Sequence, residues 1–139
     1  MIKFTIIGKP KALKRHRPSA RGGYYDPSSK DKKDVLLRIA AYRPKKPFIG
    51  NIKLILTFIM PIPKSWYGTG KNKNIIKTKY KGRYWHINTP DLDNLIKLIS
   101  DVLQPDFYID DSQICIIQAQ KIYGKIPRTI INIEELSIS

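Results

Sequence analysis

The chain is poor in cysteine and has no long apolar run. Its single cysteine, Cys115, cannot form an internal disulfide, so a reducing, cytoplasmic setting is expected. The most apolar run, Leu54 to Met60, is too short to cross a bilayer and ends at Pro61. Residues 1–14 contain no stretch suited to a secretory signal. We therefore expect neither a secreted, disulfide-linked fold nor a membrane partner.

Acidic residues are scarce as well. The 139 residues include 26 Lys and Arg but only 11 Asp and Glu, which gives a formal net charge of +15. Such an excess on a small chain is typical of a protein that binds a polyanion, and nucleic acid is the commonest polyanion. A ribosomal-type structural protein and a binder of acidic membrane surfaces are the alternatives. The length suits one hydrophobic core, so we expect a single domain over residues 1–139.

The few acids are unevenly distributed. No acid occurs from Val35 to Pro90, and then six of the eleven fall within 21 residues that contain one base, Lys97: Asp91, Asp93, Asp101, Asp106, Asp110 and Asp111. Carboxylates repel phosphate, so a plain DNA-binding surface does not need such a segment. Either the acids face away from the nucleic acid as a solvated surface, or they hold a divalent cation that bridges protein and phosphate.

The first half of the chain predicts strands around a helix. Residues 2–7 are typical of a strand, and a basic loop from Lys9 to Arg17 follows. Ser29 is a candidate cap for a helix from about Lys30 to Tyr42, because Val35, Leu36, Ile39 and Ala40 have helical spacing. Alternating apolar residues predict a strand over Ile52 to Met60.

The second half predicts the main helix and a hairpin. Thr89 and Pro90 are good opening residues for a helix with one apolar stripe, formed by Leu92, Leu95, Ile96, Ile99, Val102 and Leu103. Ser112 to Ile122 predicts a strand, and Thr129 to Ile133 is interpreted as its hairpin partner after Gly124. Together these elements indicate an α+β fold, a mixed sheet with two main helices packed on it.

Between these halves lies a basic stretch with interleaved aromatic residues, Lys64 to His86. Unpaired bases stack on aromatic rings while lysines hold phosphates, which favours a nucleic-acid contact. The alternative is that the aromatic residues pack into the core. We favour core packing for Tyr84 and Trp85, and both readings stay open for Trp66 and Tyr67.

The acids around the main helix suit metal-assisted hydrolysis. Asp91 falls in the first turn, and Asp93 and Lys97, four residues apart, share the face opposite the apolar stripe. Asp110 and Asp111 precede a strand and can meet them if helix and strand pack side by side. Carboxylates can hold a metal that polarises a phosphoryl oxygen and acidifies water, and a lysine can stabilise developing negative charge.

Less specific explanations exist for the same residues. Asp91 can simply favour the helix dipole, and Asp93 with Lys97 can be an exposed pair worth about a few tenths of a kcal/mol. Asp110 and Asp111 can form a polar turn. His16 and His86 are isolated and offer no zinc spacing, and Cys115, within an apolar strand, is expected in the core rather than as a nucleophile.

Three segments resemble the signature of the RusA family of small endonucleases from bacteria and their phages: Pro90-Asp91-Leu92-Asp93-Asn94-Leu95-Ile96-Lys97, then Asp101-Val102-Leu103, then Asp110-Asp111-Ser112-Gln113-Ile114. The spacing, D-x-D-N-L-x-K followed about one helix later by D-D-S-Q, is quite specific. The resemblance implies a homodimer that resolves four-way (Holliday) DNA junctions by paired, symmetric nicks with Mg²⁺, in DNA recombination and repair. It also implies a bacterial or phage-infected cell.

The resemblance assigns roles residue by residue. It makes Asp91, Asp93 and Asp111 the metal-binding acids, with Asp110 beside them, and Lys97 the catalytic lysine. The family's basic position before the first aspartate is Pro90 here, so no arginine role carries over. We expect DNA contacts from the basic loop and the basic aromatic stretch, at Lys9, Lys11, Lys14, Arg15, Arg17, Lys71 and Lys73. A less selective nuclease for flaps or branched DNA, and a non-catalytic DNA-binding protein, are the alternatives.

Overall fold

The part of the chain that the structure describes contains six strands and two α-helices. The structure is a computed structural model that describes residues 1–15 and 17–136. In chain order the elements are β1 (Ile2–Ile7), β2 (Arg17–Pro18), β3 (Tyr24–Tyr25), α1 (Ser29–Ile39), β4 (Ile52–Pro61), α2 (Leu92–Leu103), β5 (Ile114–Gly124) and β6 (Arg128–Glu135).

The main sheet is mixed, with strand order β1-β6-β4-β5. β6 is antiparallel to both of its neighbours, with Ile2 opposite Ile133 and Leu56 opposite Ile131. β5 is parallel to β4, and the connection between them carries the basic aromatic stretch and α2. The strands β2 and β3 form a separate small antiparallel ribbon. The predicted α+β class, a mixed sheet with two main helices, is confirmed.

The core forms between one face of the sheet and the helices. Alternate residues of β4 are fully buried, and the predicted stripe of α2 packs into the same core, with Leu92 and Ile96 only partly buried. On α2 the buried side chains are Leu95, Leu98, Ile99, Val102 and Leu103. This burial removes the apolar stripe from water, and it leaves the opposite face of α2, with Asp93 and Lys97, exposed.

The expected hairpin of β5 with β6 is wrong. β4 lies between the two strands and pairs with both of them. Pro61 ends β4, so the three residues 125–127 that link β5 to β6 can cross the end of that strand. β6 therefore occupies an interior position, with Thr129, Ile131 and Ile133 buried.

The helix limits also differ from the prediction. α1 ends at Ile39 and continues as a short 3₁₀ turn, Ala40–Tyr42. α2 begins at Leu92 rather than at Thr89 and Pro90, because Asp91 has extended backbone angles (φ −69°, ψ 144°) and is itself the N-cap residue. No helix in the described ranges is long and apolar enough to cross a membrane.

Cys115 is exposed, so its expected place in the core is also wrong. It lies on β5, the outermost strand of the sheet, where among the described residues one side of the backbone has no neighbouring strand along much of its length. His16 lies outside the described residues, and for Arg17 only the backbone is described.

Candidate active site

Two carboxylates stand at the start of α2. Asp91 caps the helix through its backbone carbonyl, which accepts hydrogen bonds from the amides of Asn94 and Leu95, both at 3.2 Å. Its side chain makes no capping hydrogen bond, so the carboxylate is left for another partner. Asp93 lies in the first turn, with its carboxylate 3.8 Å from the Lys97 ammonium. The side chains of Asp93 and Lys97 are 68% and 59% exposed, so this pair adds little to stability.

Residues 9–15 of the basic loop are docked against this end of α2. The amide of Leu13 donates to the carbonyl of Asn94 at 2.9 Å. The next amide, of Lys14, donates to the hydroxyl of Ser28 at 2.7 Å, and Ser28 is fully buried just before α1. These two bonds fix the loop between the starts of both helices, which the sequence did not indicate.

The docked loop and the helix enclose an open cleft of about 880 Å³, here called the acidic cleft. Its walls combine the carboxylates of Asp91 and Asp93 with three basic side chains, and the lining residues are Leu13, Lys14, Arg15, Asp91, Asp93, Asn94 and Lys97. A second cleft of about 440 Å³ lies on the other side of the loop, and Lys9, Lys11, Lys14 and Asp91 are among the residues that line it. The predicted acids and the predicted DNA-binding bases therefore share one surface, with Asp91 in both clefts.

Lys121, on β5, binds the backbone segment that leads into Asp91. Its ammonium donates to the carbonyls of Asn88 and Pro90, both at 2.6 Å. Burial lowers the pKa of Lys121, and the nearby Asp91 carboxylate acts in the opposite direction. Sequence reasoning missed this residue, although it is the one charged side chain in the otherwise uncharged run 114–123. By binding these carbonyls, Lys121 fixes the turn that precedes α2.

The D-D-S-Q segment forms a tight 3₁₀ turn, Asp111–Gln113, ahead of β5. Asp110 caps this turn and accepts a short hydrogen bond from the Ser112 hydroxyl, which lowers the pKa of the Asp110 carboxyl. Gln113 donates to the carbonyls of Phe48 and Gly50 at 2.8 and 3.0 Å, and so attaches the turn to the chain entering β4. Asp110, Ser112 and Gln113 thus shape the turn, and Asp111 is left exposed.

Asp111 does not meet Asp91 and Asp93 within one chain. Burial raises the pKa of Tyr108, and the nearby Asp111 and Asp101 carboxylates raise it further. The Tyr108 hydroxyl donates to the carbonyl of Ser100 near the far end of α2, so Asp111 lies toward that end. A twelve-residue helix is about 18 Å long. Along the sheet, the seven steps of β5 from Ile114 to Lys121 give a similar separation of about 23 Å. The predicted meeting of the two acidic segments therefore fails within a single subunit.

The carboxylate donors suit a hard divalent cation, but one chain supplies too few of them. Within residues 1–15 and 17–136, no group of three or more His, Cys, Asp or Glu side chains is placed to hold a metal ion. Asp91 and Asp93 can contribute two ligands, and Mg²⁺ commonly takes one or two carboxylates together with water and substrate phosphate. The residues at the start of α2 thus fit a metal of this kind, with room for a further ligand.

In the basic aromatic stretch, the prediction for Tyr84 and Trp85 is wrong, and the question left open for Trp66 is answered by core packing. Trp66 is buried, with its ring stacked 4.8 Å from Tyr80 and tilted 4.5 Å from Tyr123. Tyr84 and Trp85, expected in the core, are 50% and 60% exposed. Trp85 pairs antiparallel with Ile122 at the outer edge of β5, which holds its backbone at the rim of the sheet and leaves the side chain in solvent.

The predicted DNA-binding residues, apart from Arg17, divide into two groups. Lys9, Lys11, Lys14 and Arg15 are exposed around the acidic cleft and its neighbour. Lys71 and Lys73 are exposed at the 3₁₀ turn Gly70–Asn72, outside the residues that line either cleft. Arg17 opens β2, and its side chain is not among those described.

Comparison with known proteins identifies the family of the chain. The sequence model of the family "Endodeoxyribonuclease RusA" matches residues 8–134. The uncharacterized protein YqaN of Bacillus subtilis (strain 168) is 33% identical over 141 residues, covering 98% of this chain and 97% of that protein. The crossover junction endodeoxyribonuclease rusA of Lactococcus phage r1t is 30% identical over 118 residues, covering 81% of this chain and 78% of that protein. The chain belongs to the RusA family of endodeoxyribonucleases.

Proposed function

We propose that the protein is a Mg²⁺-dependent endonuclease that resolves four-way DNA junctions by paired, symmetric nicks, as a homodimer in DNA recombination and repair. The observation that carries this proposal is the acidic cleft, in which Asp91 and Asp93 face a wall of bases. We further propose that residues 1–139 act as one domain, in the cytoplasm of a bacterial or phage-infected cell. The phage relative, named as a crossover junction endodeoxyribonuclease, supports the choice of substrate.

The five charged side chains of the cleft each have a role in this reaction. Asp91 and Asp93 would hold the metal, which would supply Lewis-acid polarisation of the phosphate and a more acidic water. Lys97, on the same face as Asp93, stabilises the negative charge that develops on the phosphate. Lys14 and Arg15 hold the neighbouring phosphates of the DNA arm. No covalent protein nucleophile is needed, because a water can form the new P–O bond while one P–O ester bond breaks and its oxygen leaves with one end of the cut strand.

The homodimer supplies the missing carboxylate. Asp111 lies at the other end of α2 from Asp91 and Asp93, yet it is exposed and free of the capping role that Asp110 performs. A two-fold axis that reverses the direction of one subunit relative to the other brings opposite ends together. The partner subunit's Asp111 then joins Asp91 and Asp93, and one dimer holds two equivalent sites for two matched cuts.

Cleavage of a labelled synthetic four-way junction tests the function. We expect two symmetric nicks in opposing strands when Mg²⁺ is present and no product when it is removed with a chelator. Flap and linear duplex substrates of the same sequence serve as controls, and they should be cut at least about tenfold more slowly. Equal cutting of flap and junction would favour the less selective nuclease, and junction binding without cleavage in any divalent metal would favour a non-catalytic DNA-binding protein.

Junction affinity should depend steeply on salt, because each phosphate contact releases counterions. Replacing both Lys14 and Arg15 with Ala should reduce the slope of log K against log salt by about 2. The matched control is the double change of Lys45 and Lys46 to Ala, since those exposed lysines lie before β4, away from the acidic cleft. Equal slopes for the two variants, measured by fluorescence anisotropy, would count against the basic loop as the DNA contact.

Lys121→Met should slow junction cleavage about 10- to 100-fold, because it removes two charged hydrogen bonds that fix the turn before Asp91. Lys121→Arg keeps the charge and should restore part of the rate. The measurement is the single-turnover cleavage rate over a series of Mg²⁺ concentrations, where the Met variant should need more metal for half its maximal rate. Lys125→Met, at an exposed lysine beyond β5, is the control, and equal rates for both Met variants would refute the assignment.

A further inference from the structure

A third cleft, here called the aromatic pocket, lies where the basic aromatic stretch meets the end of β5. Its volume is about 430 Å³, within the range of about 300–1,000 Å³ that suits small ligands. Its walls include the rings of Trp66, Tyr80 and Tyr123 and the side chain of Arg83. It shares no described residue with the acidic cleft, and the proposed function makes no use of it.

A type II turn sets Arg83 against the aromatic wall of this pocket. The Arg83 amide donates to the Tyr80 carbonyl at 3.4 Å. Between them Lys81 has φ −63° and ψ 141°, and Gly82 has φ +81°, a left-handed angle that this turn type requires and that glycine adopts without strain. The turn brings its first and fourth residues together, so the Arg83 guanidinium lies 5.3 Å from the centre of the Tyr80 ring.

The position of this guanidinium leaves it available to a ligand. The Trp66 and Tyr80 rings stack with their centres 4.8 Å apart, and the Arg83 guanidinium is 5.7 Å from the centre of Trp66. A group on the outer face of either ring would be much farther from the other ring. Arg83 therefore lies beside the stack, at the exposed rim of the pocket.

The positive charges of the pocket have no acid to neutralise them. Lys81, Arg83 and Lys125 line it, and within the described residues none of the three forms a salt bridge. The two segments that build the pocket, residues 62–83 and 123–125, contain no aspartate or glutamate. The pocket therefore favours a ligand that carries an anionic group next to an apolar ring.

An unpaired nucleotide combines these two features. Its base can stack on aromatic side chains and on a guanidinium plane, and its phosphate can pair with arginine and lysine. A base within a duplex is already stacked and paired, so it must leave the stack before it can enter a concave site. The chemistry of the pocket thus selects unpaired DNA over continuous duplex.

Tyr123 connects the pocket to the candidate active site. Its ring forms part of the pocket wall, and its hydroxyl accepts a hydrogen bond from the side-chain amide of Asn88 at 3.3 Å. Lys121, two residues earlier on the same face of β5 and about 7 Å away, binds the Pro90 carbonyl next to Asp91. The pocket is therefore near enough to Asp91 for one DNA strand to occupy both.

We propose that the aromatic pocket binds an unpaired nucleotide of the DNA substrate, with the base against the rings and a phosphate at Arg83. The strand then continues past Tyr123 toward Asp91. The proposal rests on the proposed function for its branched substrate, because an opened branch point supplies unpaired nucleotides. The binding itself requires no metal, so it can be measured apart from cleavage.

An abasic strand tests whether the pocket takes a base. Labelled oligothymidylate and an abasic strand of the same length carry the same number of phosphates, and both are titrated with the wild type in a metal chelator by fluorescence anisotropy. Oligothymidylate should bind about tenfold more tightly, because stacking of one base is worth about 5- to 150-fold in affinity. Equal affinity for the two strands would overturn the proposal.

Tyr80→Leu tests whether the preference for a base arises in the pocket. It removes one ring of the wall and should reduce the preference to less than about twofold. Tyr84→Leu is the matched control, because Tyr84 is a 50% exposed tyrosine of the same stretch that does not line the pocket. Circular dichroism and thermal melting establish that both variants fold. The pocket is the wrong site if both variants lose the preference or both keep it.

Arg83→Met changes an exposed side chain and so does not depend on the packing of the rings. It should weaken oligothymidylate binding about tenfold, because it removes both the cation beside the rings and a phosphate contact. Arg43→Met, which removes the same charge at an exposed position before β4, should weaken binding less than about twofold. Similar losses for the two variants would contradict a specific role of Arg83.

The proposed function and the aromatic pocket can fail separately. If the wild type cuts junctions with Mg²⁺ but binds oligothymidylate and the abasic strand equally, the pocket is wrong and the function stands. If the preference for a base depends on Tyr80 but no junction is cut in any divalent metal, the pocket stands and the function is wrong.

Discussion

Asp93→Asn should reduce junction cleavage at least about 100-fold while leaving the fold and junction binding intact. The substitution keeps the shape of the side chain but removes the charge that binds the metal, and metal catalysis is worth several kcal/mol, with each 1.4 kcal/mol about tenfold in rate. The Asp93 side chain is 68% exposed, and it forms an ion pair with Lys97 on the surface of α2. Stability should therefore change by less than about 0.5 kcal/mol.

Asp34→Asn is the matched control for that variant. Asp34 also forms an exposed pair one helical turn along, 3.2 Å from Arg38 on α1, but it lies outside the acidic cleft. Cleavage rate, anisotropy with the junction and thermal melting should be measured for both. The metal role of Asp93 is refuted if the two variants cut at similar rates.

Asp111→Asn should also abolish cleavage, and mixing it with Asp93→Asn should restore it. In the proposed homodimer, each site combines Asp91 and Asp93 of one subunit with the partner subunit's Asp111. A heterodimer of the two variants therefore contains one intact site. Its other site lacks the carboxylates of positions 93 and 111. After subunit exchange, about half of the dimers should nick a single strand of the junction, although neither variant alone is active.

The mixture has an informative control. Asp91→Asn mixed with Asp93→Asn should stay inactive, because each of the two sites in that heterodimer still lacks one carboxylate from the start of α2. If each site were built within one chain, the Asp111→Asn mixture would stay inactive as well. Activity of Asp111→Asn by itself would remove Asp111 from the site altogether.

The sequence was most informative where chemistry and periodicity act locally. The burial of the α2 stripe and the exposure of Asp93 and Lys97 follow from helical spacing and are confirmed. The first strand was predicted with its observed limits, Ile2–Ile7. The approach of the basic loop to the acids follows no such local rule, because it depends on hydrogen bonds to Asn94 and Ser28 from distant parts of the chain.

Predictions that required knowledge of strand neighbours were wrong. Short sequence separation favoured a hairpin of β5 with β6, but the sheet places β4 between them. The same placement makes β5 an edge strand, which exposes Cys115 and Trp85 against expectation. Asp91 and Asp111 lie at opposite ends of α2, and motif spacing along the chain did not show whether the fold brings them together.

A supercoiled plasmid that extrudes a cruciform tests the central claim most directly. The protein should convert it with Mg²⁺ straight to linear product, since two matched sites cut both strands of the four-way junction within one binding event. A plasmid of equal size without the inverted repeat should stay supercoiled, and Asp93→Asn should leave both plasmids uncut. Accumulation of nicked circles without linear product, or equal cutting of the plasmid that has no cruciform, would contradict a paired, junction-selective nuclease.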